Sequence, residues 1–205
     1  MSAPPKTVLT ATPEEAAAIR DAVRTADPAT MAEGRAIATL DHAEDLLELL
    51  KDPDVQASID DLPRPVTLEN VRAWITRFAD LRADGHGLLI VVPDFGKGLL
   101  SFAEITVWPD RASAELAGAM RADIQGAGAG AEGAARSFQW IFEVLKVRLI
   151  GLAAPPENER VAALIDHAGF VRMGEREMEW SDGDIHRTLY WELTRDGWNA
   201  RAKPG

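Results

Sequence analysis

The sequence predicts an α+β fold, and three observations lead there. The chain has 205 residues, 46% of them hydrophobic, enough for one sizeable core. Its hydrophobic period switches repeatedly between 3.6 and 2, so helices and strands are interleaved. Consecutive strand-like runs fill residues 85–120 and close the chain, with helices set apart from them, as in α+β proteins. The longest apolar run, Gly87 to Val92, is far too short to span a bilayer.

Thr12-Pro13-Glu14-Glu15 opens the first helix with an N-cap, a first-turn proline and an acid three residues after the cap. The helix is expected to reach Arg24, before Asp27-Pro28 breaks it. Arg35 to Leu40 reads as a short strand. Asp41-His42-Ala43-Glu44 repeats the capping pattern, and Ala43, Leu46, Leu47 and Leu50 share a helix face. After a loop at Pro63 to Pro65, Val71, Trp74, Ile75 and Phe78 form another face, ending near Ala83. Gly85-His86-Gly87 opens a strand through Val92. Pro93 to Gly98 is a turn, Leu99 to Val107 alternates as a strand, and Ala114 to Met120 makes the next. Ala131, Ala134, Ala135, Phe138, Ile141, Phe142 and Leu145 recur at helical spacing. Arg148 to Ala153 is a strand, and Asn158 to Ala168 is a helix stopped by Gly169. Phe170–Trp180 and Arg187–Leu193 close as a hairpin across Ser181 to Asp184. The order β-α-α-β-β-β-α-β-α-β-β does not by itself fix a topology.

The most informative stretch is Gln125-Gly126-Ala127-Gly128-Ala129-Gly130, directly ahead of a helix. A loop almost bare of side chains lets a ligand approach the main chain, and the helix start behind it favours an anion, above all a pyrophosphate. A flexible linker of glycine and alanine is the bland reading, against which the uninterrupted helix weighs. Gly128, Gly130 and Gly133 also spell the G-x-G-x-x-G of a dinucleotide fold, with a strand at 148–153 and Glu157 where a ribose-binding acid could stand. Only about fifty residues follow Glu157, too few to complete a doubly wound sheet.

A third reading rests on a resemblance. Gln125-x-x-Gly128-x-Gly130 matches the Q/R-x-x-G-x-G/A pyrophosphate signature of the GNAT acetyltransferases. Ala131-Glu132-Gly133-Ala134 followed by Trp140-Ile141-Phe142-Glu143 resembles the first cofactor helix of that family's ribosomal-protein N-acetyltransferase-like branch. Pro156-Glu157-Asn158-Glu159-Arg160 and Ala168-Gly169-Phe170 resemble its P-E-N-x-x-S…G-F segment. Asp52-Pro53-Asp54-Val55 and Thr67 to Trp74 are similar to its substrate-side helices, and Leu189-Tyr190-Trp191-Glu192-Leu193 to its last strand. The resemblance covers residues 35–198. It implies α/β/α layers around a central mixed, mostly antiparallel sheet, with residues 1–34 an N-terminal helical extension and 199–205 a C-terminal tail. The extension is expected to pad the core or to form a homodimer contact.

The activity implied is transfer of acetyl from acetyl-CoA to a primary amine, on a protein N-terminus or a small amine, by direct attack. A catalytically degenerate CoA-binding or protein-interaction module is the alternative. Gln125, Gly126, Ala127, Gly128, Ala129 and Gly130 would bind the pyrophosphate, helped by Arg136 and by other local bases such as Arg121 and Lys146. Asn158 matches the family's asparagine near the thioester and also suits a helix N-cap. Val161 stands where the family usually has serine, and valine cannot donate a proton to a leaving thiolate.

Three residues are candidates for catalysis. Glu115 shares a strand face with Ala117 and Ala119, small neighbours that leave room beside the carboxylate, and the family places an acid at that position. Glu104 lies in the neighbouring strand on a face with Phe102, Thr106 and Trp108. Tyr190, the one tyrosine, falls in the last strand, where it could pack or act as a general acid. Trp74 and Trp108 are expected to wall the acceptor site.

Composition bounds the rest. A formal net charge of −11 weighs against nucleic acid and suits a cationic partner. Without cysteine, disulfides and thiol nucleophiles are excluded, and a reducing cytoplasm is the expected location. The histidines at 42, 86, 167 and 186 lack metal-ligand spacing, so no metal is expected. The N-terminus has no apolar signal core, and no membrane association is expected.

Overall fold

A computed structural model describes residues 3–56, 62–94, 96–124, 129–179, 183 and 185–201. Its strands are β1 (Ala36–Ile37), β2 (Gly87–Pro93), β3 (Leu99–Trp108), β4 (Ser113–Met120), β5 (Leu149–Ala154), β6 (Val171–Glu179) and β7 (Ile185–Thr194). They form one sheet in the order β1-β2-β3-β4-β5-β7-β6. Every neighbouring pair is antiparallel except β4 and β5. The expected α+β class and mixed, mostly antiparallel sheet are what the chain adopts. Among the described residues, no helix is long and apolar enough to cross a membrane.

Helix α1 (Pro13–Thr25) starts where Thr12 Oγ1 accepts the Glu15 N–H at 3.2 Å. Its Ile19 and Val23 are fully buried in the main core with Leu88, Ile90, Ile105 and Val107 of the sheet. The extension therefore pads the first sheet face. Helices α5 (Ala129–Glu143) and α6 (Glu159–His167) share that face, supplying Phe138, Ile141, Phe142, Ala162 and Ile165.

The second face is covered over β2 and β3 by α2 (Ala43–Leu50) and α4 (Leu68–Asp84). Leu46, Leu50, Val71, Trp74, Ile75 and Phe78 pack there on Leu89, Val91 and Phe102. Thr67 caps α4 by accepting the Asn70 N–H at 3.2 Å, and Gly85 ends it at φ 81°. A Cβ at Gly85 would lie 2.6 Å from Arg20, so both conformation and contact require glycine.

The elements differ from expectation at three places. The strand expected at 35–40 is confined to Ala36–Ile37, because His42 Nδ1 accepts the Thr39 N–H at 3.0 Å and turns the chain into a 3₁₀ turn. That contact, rather than Asp41, organises the start of α2. A short helix α3 (Pro53–Gln56) follows. The last described element is α7 (Arg195–Arg201), so a tail starting at 199 would begin inside a helix. Trp198 of α7 stacks against Phe138 and Phe142, with ring centroids 6.1 and 6.5 Å away.

Candidate active site

The parallel pair sets the geometry. β4 and β5 pair only at Ser113/Leu149, Ala114/Ile150 and Glu115/Gly151. Both strands then run on, β4 to Met120 and β5 to Ala154, with no further ladder pair between them. A wedge opens there, with its apex at Glu115 and Gly151. Its β4 wall carries only small residues from Ala117 to Ala119, and each wall presents a main-chain edge with no ladder partner across the wedge.

Polar side chains from three strands converge on the second face at this apex. Glu115 is 4% exposed. Arg176 of β6 donates from Nη2 to both Glu115 oxygens, at 2.6 and 2.7 Å, and its guanidinium lies 4.1 Å from the centroid of the Tyr190 ring. A β-bulge puts Arg176 there. Arg172 pairs with Trp191, but after Gly174 at φ 84° Glu175 pairs with Leu189 and Arg176 with Thr188. That one-residue slip moves Arg176 onto the face of Tyr190 and Glu192. Tyr190 is fully buried, and its hydroxyl has no hydrogen-bond partner among the described residues. Burial, then the negative charges of Glu115 and Glu192, push its phenol well above the ordinary value, against the opposing pull of Arg176. The hydroxyl rests on Gly151, where a Cβ would come within 2.1 Å of it. Glu192, 4% exposed, pairs in register with Gly151.

Glu104 stands beside this cluster, 3% exposed, and accepts a hydrogen bond from Trp74 Nε1 at 3.3 Å. Trp74 is itself core, edge-on to Phe78 and Phe102 at 6.2 and 5.4 Å. It anchors Glu104 instead of walling an open cleft; of the face read around Glu104, Phe102 is packed in the same core, whereas Thr106 and Trp108 are half-buried.

The expected cofactor residues divide. Gln125, Gly126, Ala127 and Gly128 lie outside the described residues; Ala129 and Gly130 form the first turn of α5. Arg136 is on the third turn, paired with Glu132 at 2.7 Å. Arg121 is engaged by Asp123 and Asp94 at 2.6 and 3.0 Å. Lys146 follows the C-terminus of α5, about 20 Å from its start at 1.5 Å per residue, and so cannot serve a phosphate there. Asn158 caps α6 by accepting the Val161 N–H at 3.2 Å, and Val161 packs against the core. A cavity of about 650 Å³ lies between α5, α6 and α7, floored by Ala134, Ala135 and Ala163 and walled by Trp198.

Sequence reasoning missed Arg176, Glu192 and Arg35. Arg35 reaches toward Ser137 Oγ on α5 at 3.3 Å and lies beside Gly133. Burial, reinforced by the charge of Arg136, lowers its pKa. Two guanidiniums therefore face the first turns of α5 in a strongly acidic chain. Among the described residues no group of three or more His, Asp or Glu side chains has metal-binding geometry.

A model of the acetyltransferase (GNAT) domain matches residues 35–171. No curated protein matches the chain. Solved structures share its fold. Ribosomal-protein-S5-alanine acetyltransferase from Vibrio fischeri aligns with a TM-score of 0.66 over 83% of this chain and 94% of its own, at 16% identity. RimJ from Mycobacterium smegmatis, solved with CoA-disulfide, gives 0.65 over 79% and 81%, at 15% identity. Spermidine N-acetyltransferase from Vibrio cholerae gives 0.65 over 82% and 99%, at 17% identity. With two thirds of its length matched by the domain model and the wedge between β4 and β5 in place, the chain belongs to the GNAT acetyltransferase family.

Proposed function

We propose that the chain is an acetyl-CoA-dependent N-acetyltransferase of the ribosomal-protein N-acetyltransferase-like branch, acting on a primary amine. The observation that carries this reading is the parallel β4–β5 pair that stops at Glu115 and Gly151, with a buried, unpartnered tyrosine hydroxyl at the apex. A slot edged by main-chain groups suits a linear, amide-bearing arm such as that of CoA. The start of α5 with Arg35 and Arg136 suits its phosphates, and the alanine-floored cavity suits a planar ring. Bound there, acetyl-CoA would supply an activated acetyl group.

The chain's own residues would then divide the work. Tyr190, held neutral by burial, is the hydrogen-bond donor to the departing sulfur at the apex, a role that Val161 cannot fill. Glu115 holds Arg176 in place, and with Glu192 it keeps the second face negative for an approaching ammonium. Glu115, or Glu104 on the adjacent strand, takes the amine proton through water. An α-amine with a pKa of about 7.7–8.0 needs little such help, whereas a lysine-like amine at about 10.4 needs much more. RimJ, ribosomal-protein alanine acetyltransferase and spermidine acetyltransferase among the similar folds support an amine acceptor, either a protein N-terminus or a small amine.

Thermal shift with acetyl-CoA, CoA, NAD and NADP tests the cofactor. At a hundredfold excess over Kd, binding adds about 2.7 kcal/mol, a rise of roughly 5–10 °C for a chain of this size. Acetyl-CoA and CoA should give it and the nicotinamide nucleotides should not. Release of free thiol that depends on an added amine then separates an enzyme from a CoA-binding module. A shift with NAD alone, or binding of CoA without thiol release across an amine panel, would overturn the proposal.

A further inference from the structure

Residues 3–11 belong to no helix or strand, yet they are tied down, and residues 3–7 lie beside the apex cluster. The Thr10 carbonyl accepts from Arg148 at 2.7 Å. The Thr7 N–H donates to both oxygens of buried Glu192, at 3.1 and 3.3 Å. Lys6 Nζ donates to the Met173 and Glu175 carbonyls, at 2.8 and 2.9 Å, astride the bulge that aims Arg176. Pro5 is buried. The Ala3 carbonyl accepts from Arg176 Nη1 at 3.3 Å, the same guanidinium whose Nη2 holds Glu115.

The segment thus lies against the two side chains next to Glu115 and Tyr190. It is held as an extended peptide is held in a groove, by a main-chain N–H, main-chain carbonyls and one ammonium. Its lysine suits a surface that carries Glu115 and Glu192. The bonds are few and most are exposed to water, and of residues 3–7 only Pro5 is buried, so the segment belongs to the weakly held part of the molecule.

We propose that residues 3–7 are an intramolecular stand-in for the acceptor: they occupy a groove shaped for an extended, cationic peptide and must lift before such a peptide reaches Glu115 and Tyr190. This rests on the reading of the second face as the acceptor side, and it narrows the acceptor from any amine to a peptide.

The test uses the full chain with Lys6→Ala and Thr7→Pro combined, which remove the ammonium and the N–H. Lys6→Ala alone, an exposed truncation, serves as the milder companion should the pair fold poorly. Hydrogen exchange across residues 3–11 reports release of the segment without reference to activity. A fluorescent peptide copying residues 3–9, blocked at its N-terminus and titrated without acetyl-CoA so that no transfer occurs, should bind the released variant at least about tenfold more tightly than wild type, because the tethered competitor is gone. Turnover of a peptide acceptor should rise about fivefold in kcat/KM, with CoA affinity unchanged. Faster exchange with no gain in peptide binding would overturn the proposal, as would a fall in turnover, which would make the segment a structural support. Peptide binding needs no acetyl transfer, so the proposal can fail while the enzyme stands, and survive if it does not.

Discussion

The second face of the sheet is built in two different ways. Over β2 and β3, helices α2 and α4 close it with a continuous apolar layer in which one carboxylate, Glu104, is tied to Trp74. Over β4, β5, β7 and β6 the same face carries Glu115, Arg176, Tyr190 and Glu192, crossed by residues 3–7. The first half is stabilised by area removed from water, which is indifferent to arrangement as long as volume is filled. The second depends on each charge keeping its partner, and three buried hydroxyls in it, those of Ser113, Thr188 and Tyr190, have none among the described residues. The difference separates a half that holds the fold from a half that tolerates cost, as the chemistry proposed for it would require.

Two truncations break this comparison most sharply. Trp74→Ala leaves a cavity between Phe78 and Phe102 and should lower stability by about 3–5 kcal/mol in urea unfolding. Glu115→Gln leaves Arg176 buried without its counter-charge, a loss of about 3 kcal/mol. What distinguishes them is rescue. Adding Arg176→Met to Glu115→Gln removes the orphaned charge and should recover most of the loss. A loss from Glu115→Gln that Arg176→Met leaves unrepaired would mean that the two halves are built alike. A smaller test of the same contrast is Gly151→Ala. Its new methyl would lie 2.1 Å from the Tyr190 hydroxyl and must displace it, costing about 1–3 kcal/mol. Combination with Tyr190→Phe removes that atom but leaves ring carbons at 2.9 and 3.2 Å, so the recovery should be partial.

Much of the fold was legible because its signals are local. Thr12 and Thr67 cap where a threonine before a periodic run should, and the alternation of β4 places Glu115 with Ala117 and Ala119 as the register does. What could not be read is what non-local pairing decides. Arg176 sits beside Glu115 only because a bulge in β6 reverses the face of every later residue. Glu192 is a site residue because a segment about 185 positions away docks on it. Trp74 looked like a wall because periodicity reveals that a residue is buried but not what lies above it. Lys146 looked like a phosphate partner because distance along a helix is invisible in a count of basic residues.

The smallest expected effect has the opposite sign and sharpens the contrast. Tyr190→Phe removes a fully buried hydroxyl that has no partner, with the ring left in place under Arg176. An unsatisfied buried hydroxyl costs about 1–3 kcal/mol, so the variant should be more stable than wild type by about 1 kcal/mol. The pH dependence should change with it. A phenol raised above its ordinary value stays neutral in the folded chain while the unfolded chain ionises near pH 10. Its contribution is therefore present below about pH 10 and lost as pH rises above that value, and the phenylalanine variant lacks this loss. Thermal unfolding from pH 7 to 10.5 measures both effects. If the hydroxyl donates a hydrogen bond to the departing sulfur at the wedge, the same variant should lose about 10²-fold in kcat while CoA affinity is retained. A gain in stability with turnover intact would remove Tyr190 from the chemistry and make the unpaired hydroxyl a packing cost alone. A loss of stability would mean that the hydroxyl has a partner in solution, and that the polar half of the face is as fully satisfied as the apolar half.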